Sequence, residues 1–455
     1  MGVITRAKKR RRRPRRHRLP PPDQRRCPHA APLLPVAAPM ARRPHPTPHP
    51  PPPPPNLDLN VSICIFNDYQ TTSVAGISGI LSSHPGPGRR FAIQSDRRVA
   101  MAELDGWLRC PSLNNLEELQ IHFNHYRPRR RGTPPPPPSL PASALRFSST
   151  LAAASFDACA FPDCGRSNNA IAMPLLKRLT LLHVRISEAS LHTLLAGCHV
   201  LETLLLLNNK GYPRLKIASN SLRSIGVGTS RGEGDLRLQQ IIVEDAPCLE
   251  RLLFVECAIA IDISVVSAPR LSVLGGLIGD CHIIRFGTTA LQGSTVDSLK
   301  SVVHSVRVLA LSYVKPDAVI NLMRCFPHLE KLYIQRIPVG EKNESHDRYW
   351  KLAGTLDIRL RKVVLPYYDD CKATIIFAKF FVRNARLLES MTLELQLGNV
   401  GKNAWIIRQR KLLEIKNRAS RRARFHFISS VDSFSPPPEE QVHDMSILDP
   451  FHRIK

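Results

Sequence analysis

The sequence predicts an α/β leucine-rich-repeat solenoid, a horseshoe with a parallel sheet, preceded by a disordered N-terminal arm. Three observations predict it. The apolar pattern L-x-x-L-x-L returns along most of the chain, its copies start at intervals of roughly one repeat, and a proline or cysteine recurs just ahead of the first leucine. Clear copies begin at Leu116 (with Leu119 and Ile121), Leu176 (Leu179, Leu181) and Leu201 (Leu204, Leu206). Others begin at Leu222 (Ile225, Val227), Leu249 (Leu252, Phe254), Val306 (Leu309, Leu311) and Leu329 (Leu332, Ile334). Weaker copies begin at Leu151, Leu271, Leu360 and Leu388. From Leu176 onward the starts are 25, 21, 27, 22, 35, 23, 31 and 28 residues apart, so the longer intervals hold insertions.

The unit has a simple physical reading. Its last two apolar positions lie two apart, so both point to one face of a short strand, and the first lies at the bend before it. One unit cannot bury that face alone. Stacked units share a continuous core, with the sheet on one side and helices or irregular turns on the other. Pro111, Pro174, Pro247, Pro269 and Pro327 favour an extended approach to the bend. Leucine-rich helices could show the spacing once, but not eleven times in order.

The N-terminus is of another kind. Residues 1–55 hold fourteen Lys/Arg and one Asp, a local +13 within a formal net charge of +27. Mutually repelling arginines and the run Pro50–Pro55 cannot build a core, so this arm is expected to be disordered. A second Arg/Pro breaker, Arg127 to Pro138, predicts a loop over 127–141 inside the solenoid. Eleven cysteines, scattered and odd in number, fit reduced buried thiols and a nuclear or cytoplasmic location. No uncharged apolar run approaches a membrane span, and no membrane partner is expected.

Order along the chain then carries a resemblance. His84-Pro85-Gly86-Pro87, Arg90-Phe91 and Trp107-Leu108-Arg109-Cys110-Pro111 are followed by Phe326-Pro327-His328-Leu329-Glu330-Lys331-Leu332. After these come Leu360 to Leu365, Phe380 to Ala385, Leu388-Glu389-Ser390-Met391-Thr392-Leu393, Arg418-Ala419-Ser420 and Phe425-His426-Phe427. Over about residues 75–430 this resembles plant F-box/leucine-rich-repeat proteins that end in an FBD domain. The resemblance implies a solenoid over 56–355, an FBD-like α/β cap over 356–430 and a flexible tail over 431–455. It also implies a protein–protein interaction module, the substrate-recognition component of an SCF-type ubiquitin ligase, with the cullin-RING adaptor as a further partner. One segment departs from the pattern. Where an F-box would precede His84, the chain has the arm and an alternating stretch, Leu57, Leu59, Val61, Ile63 and Ile65, which reads as a strand. No F-box is recognisable there.

Catalytic and cofactor chemistry is not visible in the sequence. There is no Walker loop and no C-x-x-C pair, and Gly275-Gly276 with Gly279 reads as a tight turn. Asp369-Asp370 reads as a solvated turn, and His183, His192 and His199 share no helical face. The chain is expected to be no enzyme and to need no metal or cofactor.

Candidate binding residues come from the alternation. Arg178, Arg251, Lys331 and Lys362 precede the second apolar position of their units, and Tyr333 follows it, so all five face the inside of the horseshoe. They form a candidate site for an acidic, partly apolar segment of a protein that the sequence does not identify. The alternative is ordinary solvated charge on an exposed sheet. In the arm, Lys8, Lys9, Arg10, Arg11, Arg12 and Arg13 read as a nuclear-import signal, a non-specific nucleic-acid contact, part of a transit peptide or an incidental tail. The basic stretch Arg408 to Arg424 reads as a helix with a solvated face.

Overall fold

The computed structural model describes residues 59–64, 74–84, 87–95, 101–123, 136–163, 171–230, 236–255, 257, 259–278, 282–287, 289–292, 295–296, 302–335, 337, 356–369, 371–395, 403–429 and 436–452. Lys8–Arg13 and most of the 127–141 loop lie outside them.

Twenty strands are described. They are β1 (Leu59–Cys64), β2 (Gly88–Ser95), β3 (Glu118–Phe123), β4 (Ala153–Asp157), β5 (Arg178–Leu182), β6 (Thr203–Leu207) and β7 (Arg214–Ala218). Then follow β8 (Ser224–Gly228), β9 (Gln240–Asp245), β10 (Arg251–Phe254), β11 (Asp262–Val265), β12 (Val273–Ile278), β13 (Ile283–Phe286) and β14 (Thr289–Gln292). The last are β15 (Thr295–Val296), β16 (Val308–Ser312), β17 (Lys331–Ile334), β18 (Lys362–Tyr368), β19 (Ser390–Leu395) and β20 (Arg424–Ser429).

Fourteen of them form one sheet, in the order β1-β2-β3-β4-β5-β6-β8-β10-β12-β16-β17-β18-β19-β20. Every pairing in it is parallel. The leucine unit sets its register. Leu179, Leu204, Ile225, Leu252, Leu274, Leu309, Leu332, Val363 and Met391 are successive partners across nine strands. All nine are 0% exposed, so the second apolar position of each repeat forms the spine of the core. The sheet is therefore the inner layer of a leucine-rich-repeat solenoid, as its sequence period requires. The ladder runs on from β17 into β18, β19 and β20 without interruption.

Five of the repeats leave the sheet by the same turn. Ala158, His183, Asn208, Tyr313 and Tyr367 stand seven residues after their unit's first apolar position, and all have left-handed backbone, with φ between 49° and 59°. Side chains seldom accept that region, so the neighbouring repeat must hold it in place. The N–H groups of Ala158, His183 and Asn208 donate to the carbonyls of Leu182, Leu207 and Gly228 in the following repeat, at 2.7–2.9 Å. One residue on, buried Asn209 accepts from Val184 N–H at 2.8 Å and donates to Leu181 O at 2.9 Å. This satisfies backbone groups that the turn takes out of the ladder.

The outer layer differs from the simple expectation of helices or irregular turns. In the middle repeats it is a second, six-stranded sheet, β15-β14-β13-β11-β9-β7. The local period explains this. Leu215 and Ile217, Ile241 and Val243, and Ile263 and Val265 are buried pairs two residues apart, a strand pattern. Elsewhere the outer elements are helices, including α1 (Val74–Ser83), α2 (Met101–Leu108), α3 (Glu188–Ala196), α4 (Pro316–Cys325) and α5 (Lys372–Asn384). In α4 the buried Ala318, Val319, Leu322 and Met323 follow the 3.6-residue period.

Two local readings change. The stretch Arg408 to Arg424 is not one helix: α6 spans Asn403–Leu412, Glu414 turns the chain with φ 52°, and Arg424 begins strand β20. Gly275-Gly276 is no tight turn. Both lie within β12, where the register with β16 shifts between Leu274 and Leu277. Gly276 has φ 75°, and a Cβ there would stand 1.7 Å from Phe254 O, so only glycine fits. The alternation read over Leu57–Ile65 appears within the described residues as β1, parallel to β2.

Candidate partner-binding face

Two ladders of side chains line the inner face. In the first, Arg178, Thr203, Ser224, Arg251, Val273, Val308, Lys331 and Lys362 are successive strand partners. In the second, two residues along, Thr180, Leu205, Gly226, Leu253 and Gly275 are successive partners, as are Ala310, Tyr333 and Val364. Leu205, Leu253, Val273, Val308, Ala310, Tyr333 and Val364 form an apolar cluster separate from the main core. A stripe of that size on an open sheet face needs a cover.

The cover comes from the chain itself. Expected as part of a flexible tail, residues 436–452 instead cross the inner face as a strap, opened by the short helix α7 (Pro438–His443). Val442 joins the second cluster fully buried, and Phe451 packs against it. Their seats are made by missing side chains. A Cβ on Gly226 would lie 2.3 Å from a Val442 methyl, and one on Gly275 would lie 1.9 Å from the Phe451 ring. Apolar residues in the strap thus find an apolar groove, which a solvated tail would leave exposed.

Polar contacts fix the strap along its length. His443 bridges two strands, with Nε2 2.7 Å from Thr180 Oγ1 and Nδ1 2.6 Å from Thr203 Oγ1. In a neutral imidazole one ring nitrogen donates and the other accepts. The Arg251 guanidinium, 3% exposed, donates to the carbonyls of Gln441 (3.2 Å), Asp444 (3.0 Å), Met445 (3.3 Å) and Ile447. It thereby gathers carbonyls at the end of α7 and in the turn that follows it. Asp449 takes three groups on one carboxylate oxygen: Tyr333 Oη donates at 2.6 Å, Lys331 Nζ at 3.0 Å, and Lys362 Nζ stands 3.8 Å away. Phe451 packs against Tyr333 with ring centroids 5.5 Å apart and planes tilted by 49°, and Lys362 Nζ sits 5.3 Å from the Tyr333 ring centroid.

The electrostatics follow from burial and pairing. Burial pushes the Asp449 carboxyl up, but hydrogen bonds from Tyr333 and Lys331 outweigh it and hold the group below its ordinary value. Burial lowers the Lys362 ammonium, opposed by Asp449 and reinforced by Lys331. Burial, with Asp449 beside it, raises the Tyr333 phenol. His443 is pushed down to about 4 by burial and then by the Arg178 charge.

The inner face is not wholly covered. Beside α7 a cavity of about 530 Å³ is lined by Glu118, Gln120, His122, Ser155, Arg178 and Glu439, among others. Arg178 is the exposed member of the five candidate residues, 3.8 Å from Glu118. The other four lie under or against the strap, so solvated charge describes Arg178 but not Arg251, Lys331, Lys362 or Tyr333. The alternation placed all five on the inner face. It could not show Thr180, Thr203, Gly226 and Gly275 as strap contacts, or His443, Asp449 and Phe451 as their partners. The signal was a tail carrying Val442, Ile447 and Phe451 among its charges.

Among the described residues, no group of three or more His, Cys, Asp or Glu side chains could hold a metal ion. No helix among them is long and apolar enough to cross a membrane. Residues 104–334 match a family model described as FBD-associated F-box protein At5g56370, LRR repeats. No curated protein and no solved structure matches the chain. The matched span covers half of the sequence and strands β3 to β17, and the chain belongs to the leucine-rich-repeat family of FBD-associated F-box proteins.

Proposed function

We propose that the inner face of the solenoid holds a protein partner, and that the chain is a substrate-recognition component of an SCF-type ubiquitin ligase. One observation carries the reading: the groove is shaped to grip a chain segment, with a guanidinium that donates to backbone carbonyls, side-chain sockets and a carboxylate site along it. Family membership supports an interaction module. The link to ubiquitin transfer rests on the family's usual pairing of such repeats with an F-box. Arg178, Arg251, Lys331, Tyr333 and Lys362 are the proposed contacts.

The test is affinity purification of the full chain with quantitative mass spectrometry, beside variants Arg178→Glu and Lys331→Glu. Capture of specific proteins should fall about tenfold or more in the variants, the loss expected when the charge of a complementary contact is reversed. Capture unchanged by both would refute the inner face as the site. Co-purification of the cullin-RING adaptor tests the ligase assignment separately.

The charge of the arm favours a second reading, non-specific nucleic-acid association in the nucleus through Lys8–Arg13 and the arginines that follow. Binding that collapses with added salt and disappears when residues 1–55 are deleted would support it.

A further inference from the structure

The far end of the groove is chemically selective. Lys331 and Lys362 converge on one point, together with the Tyr333 hydroxyl. Two half-buried ammonium groups side by side repel unless an anion sits between them. Next to that point the absent Cβ of Gly275 leaves room for an aromatic ring, which packs against Tyr333 with its plane tilted by 49°. Asp449 and Phe451 fill the two positions, and Phe451 N–H donates back to Asp449 Oδ1 at 3.3 Å, which sets their spacing. Arg251, by contrast, touches only backbone carbonyls and is indifferent to sequence.

We infer that the Lys331–Tyr333–Lys362 end of the groove recognises a protein segment carrying a carboxylate two residues before an aromatic ring, and that Asp449 and Phe451 hold this site shut from within the chain. This rests on the reading of the inner face as the partner-holding surface. The strap is the occupant that defines the ligand's chemistry. Tethering gives it a high effective concentration, so a partner in trans must compete with it. The apparent affinity of the resting chain is reduced by the fraction of time the strap is open. Removing the strap's anchors removes that handicap while leaving the groove residues in place.

The experiment uses the full chain in two forms, native and with Asp449→Lys plus Phe451→Ala, and circular dichroism melting confirms that both are folded. The probe is a fluorescently labelled peptide of residues 436–452, followed by anisotropy. The double variant should bind the peptide about tenfold or more tightly than the native chain. Peptides carrying Asp449→Asn or Phe451→Ala should lose about tenfold in binding to it. Gly275→Ala, added to the double variant, should abolish binding by filling the ring's seat. Equal binding by both chains, no binding by the folded variant, or peptides indifferent to Asp449 and Phe451 would each overturn the inference. Strap exchange between copies is the other outcome: concentration-dependent dimers of the native chain that the double variant does not form would also overturn it. Partner capture by the full chain is read separately, so a failed peptide test with capture still dependent on Arg178 and Lys331 rejects this inference alone.

Discussion

At the scale of the residue, His443 is the contact most sensitive to conditions. Its ring is held neutral between Thr180 and Thr203, with its pKa depressed to about 4 from an ordinary 6.5. The released ring takes up a proton more readily than the docked one. Docking is therefore favoured fully above about pH 6.5 and weakens as pH falls toward 4. Asp449 acts in a lower window, because its depressed carboxyl loses its contribution only as pH drops below the ordinary 3.8. A fluorophore attached at Lys455 should thus report greater strap mobility between pH 6.5 and 4 in the native chain. His443→Gln keeps a donor and an acceptor but does not titrate, so its response should be smaller over that range, with His452 beside Lys362 supplying the remainder. His122, His192, His282 and His452, whose pKa values burial also lowers, are common to both chains. Identical curves for the two chains would remove His443 from the mechanism.

At the scale of the element, the repeat strand is the unit of stability. Leu252 lies in the centre of the spine, fully buried between Ile225 and Leu274. Leu252→Ala should cost about 2–5 kcal/mol, measured by denaturant unfolding, because it removes buried methyl groups and leaves a cavity that rigid neighbouring strands cannot close. Leu236, 61% exposed, serves as the control, and its replacement by alanine should change stability little. The same contrast shows what the sequence could reveal. Leucine spacing made eleven of the fourteen inner strands legible, down to the register that aligns Arg178 with Thr203 and Arg251 with Val273. It was less informative for the outer layer, where the short alternating runs at Arg214–Ala218 and Asp262–Val265 were not read as strands. It was silent on Gly226 and Gly275, whose role lies in the side chain they lack and in a segment more than 150 residues away. Contacts between distant parts of a chain leave no period to read.

At the scale of the whole molecule, the solenoid is a one-dimensional stack whose inner face runs the length of the sheet. The strap from 436 to 452 spans strands β5 to β18 of that stack, while Ser155 and Gln120 border the open cavity beyond α7. The groove is thus filled by the chain's own residues 436–452 and open beside Arg178, and on the proposed reading a partner lands there first and then displaces the strap. Photo-crosslinking tests the central claim most directly. A benzoylphenylalanine placed at Ser155 on the inner face is compared with one at Val266, exposed beside the second sheet. Captured protein should cross-link from Ser155, and peptides from 436–452 should cross-link there when no partner is present. Partner cross-links from Val266 with none from Ser155 would contradict the inner face as the binding surface.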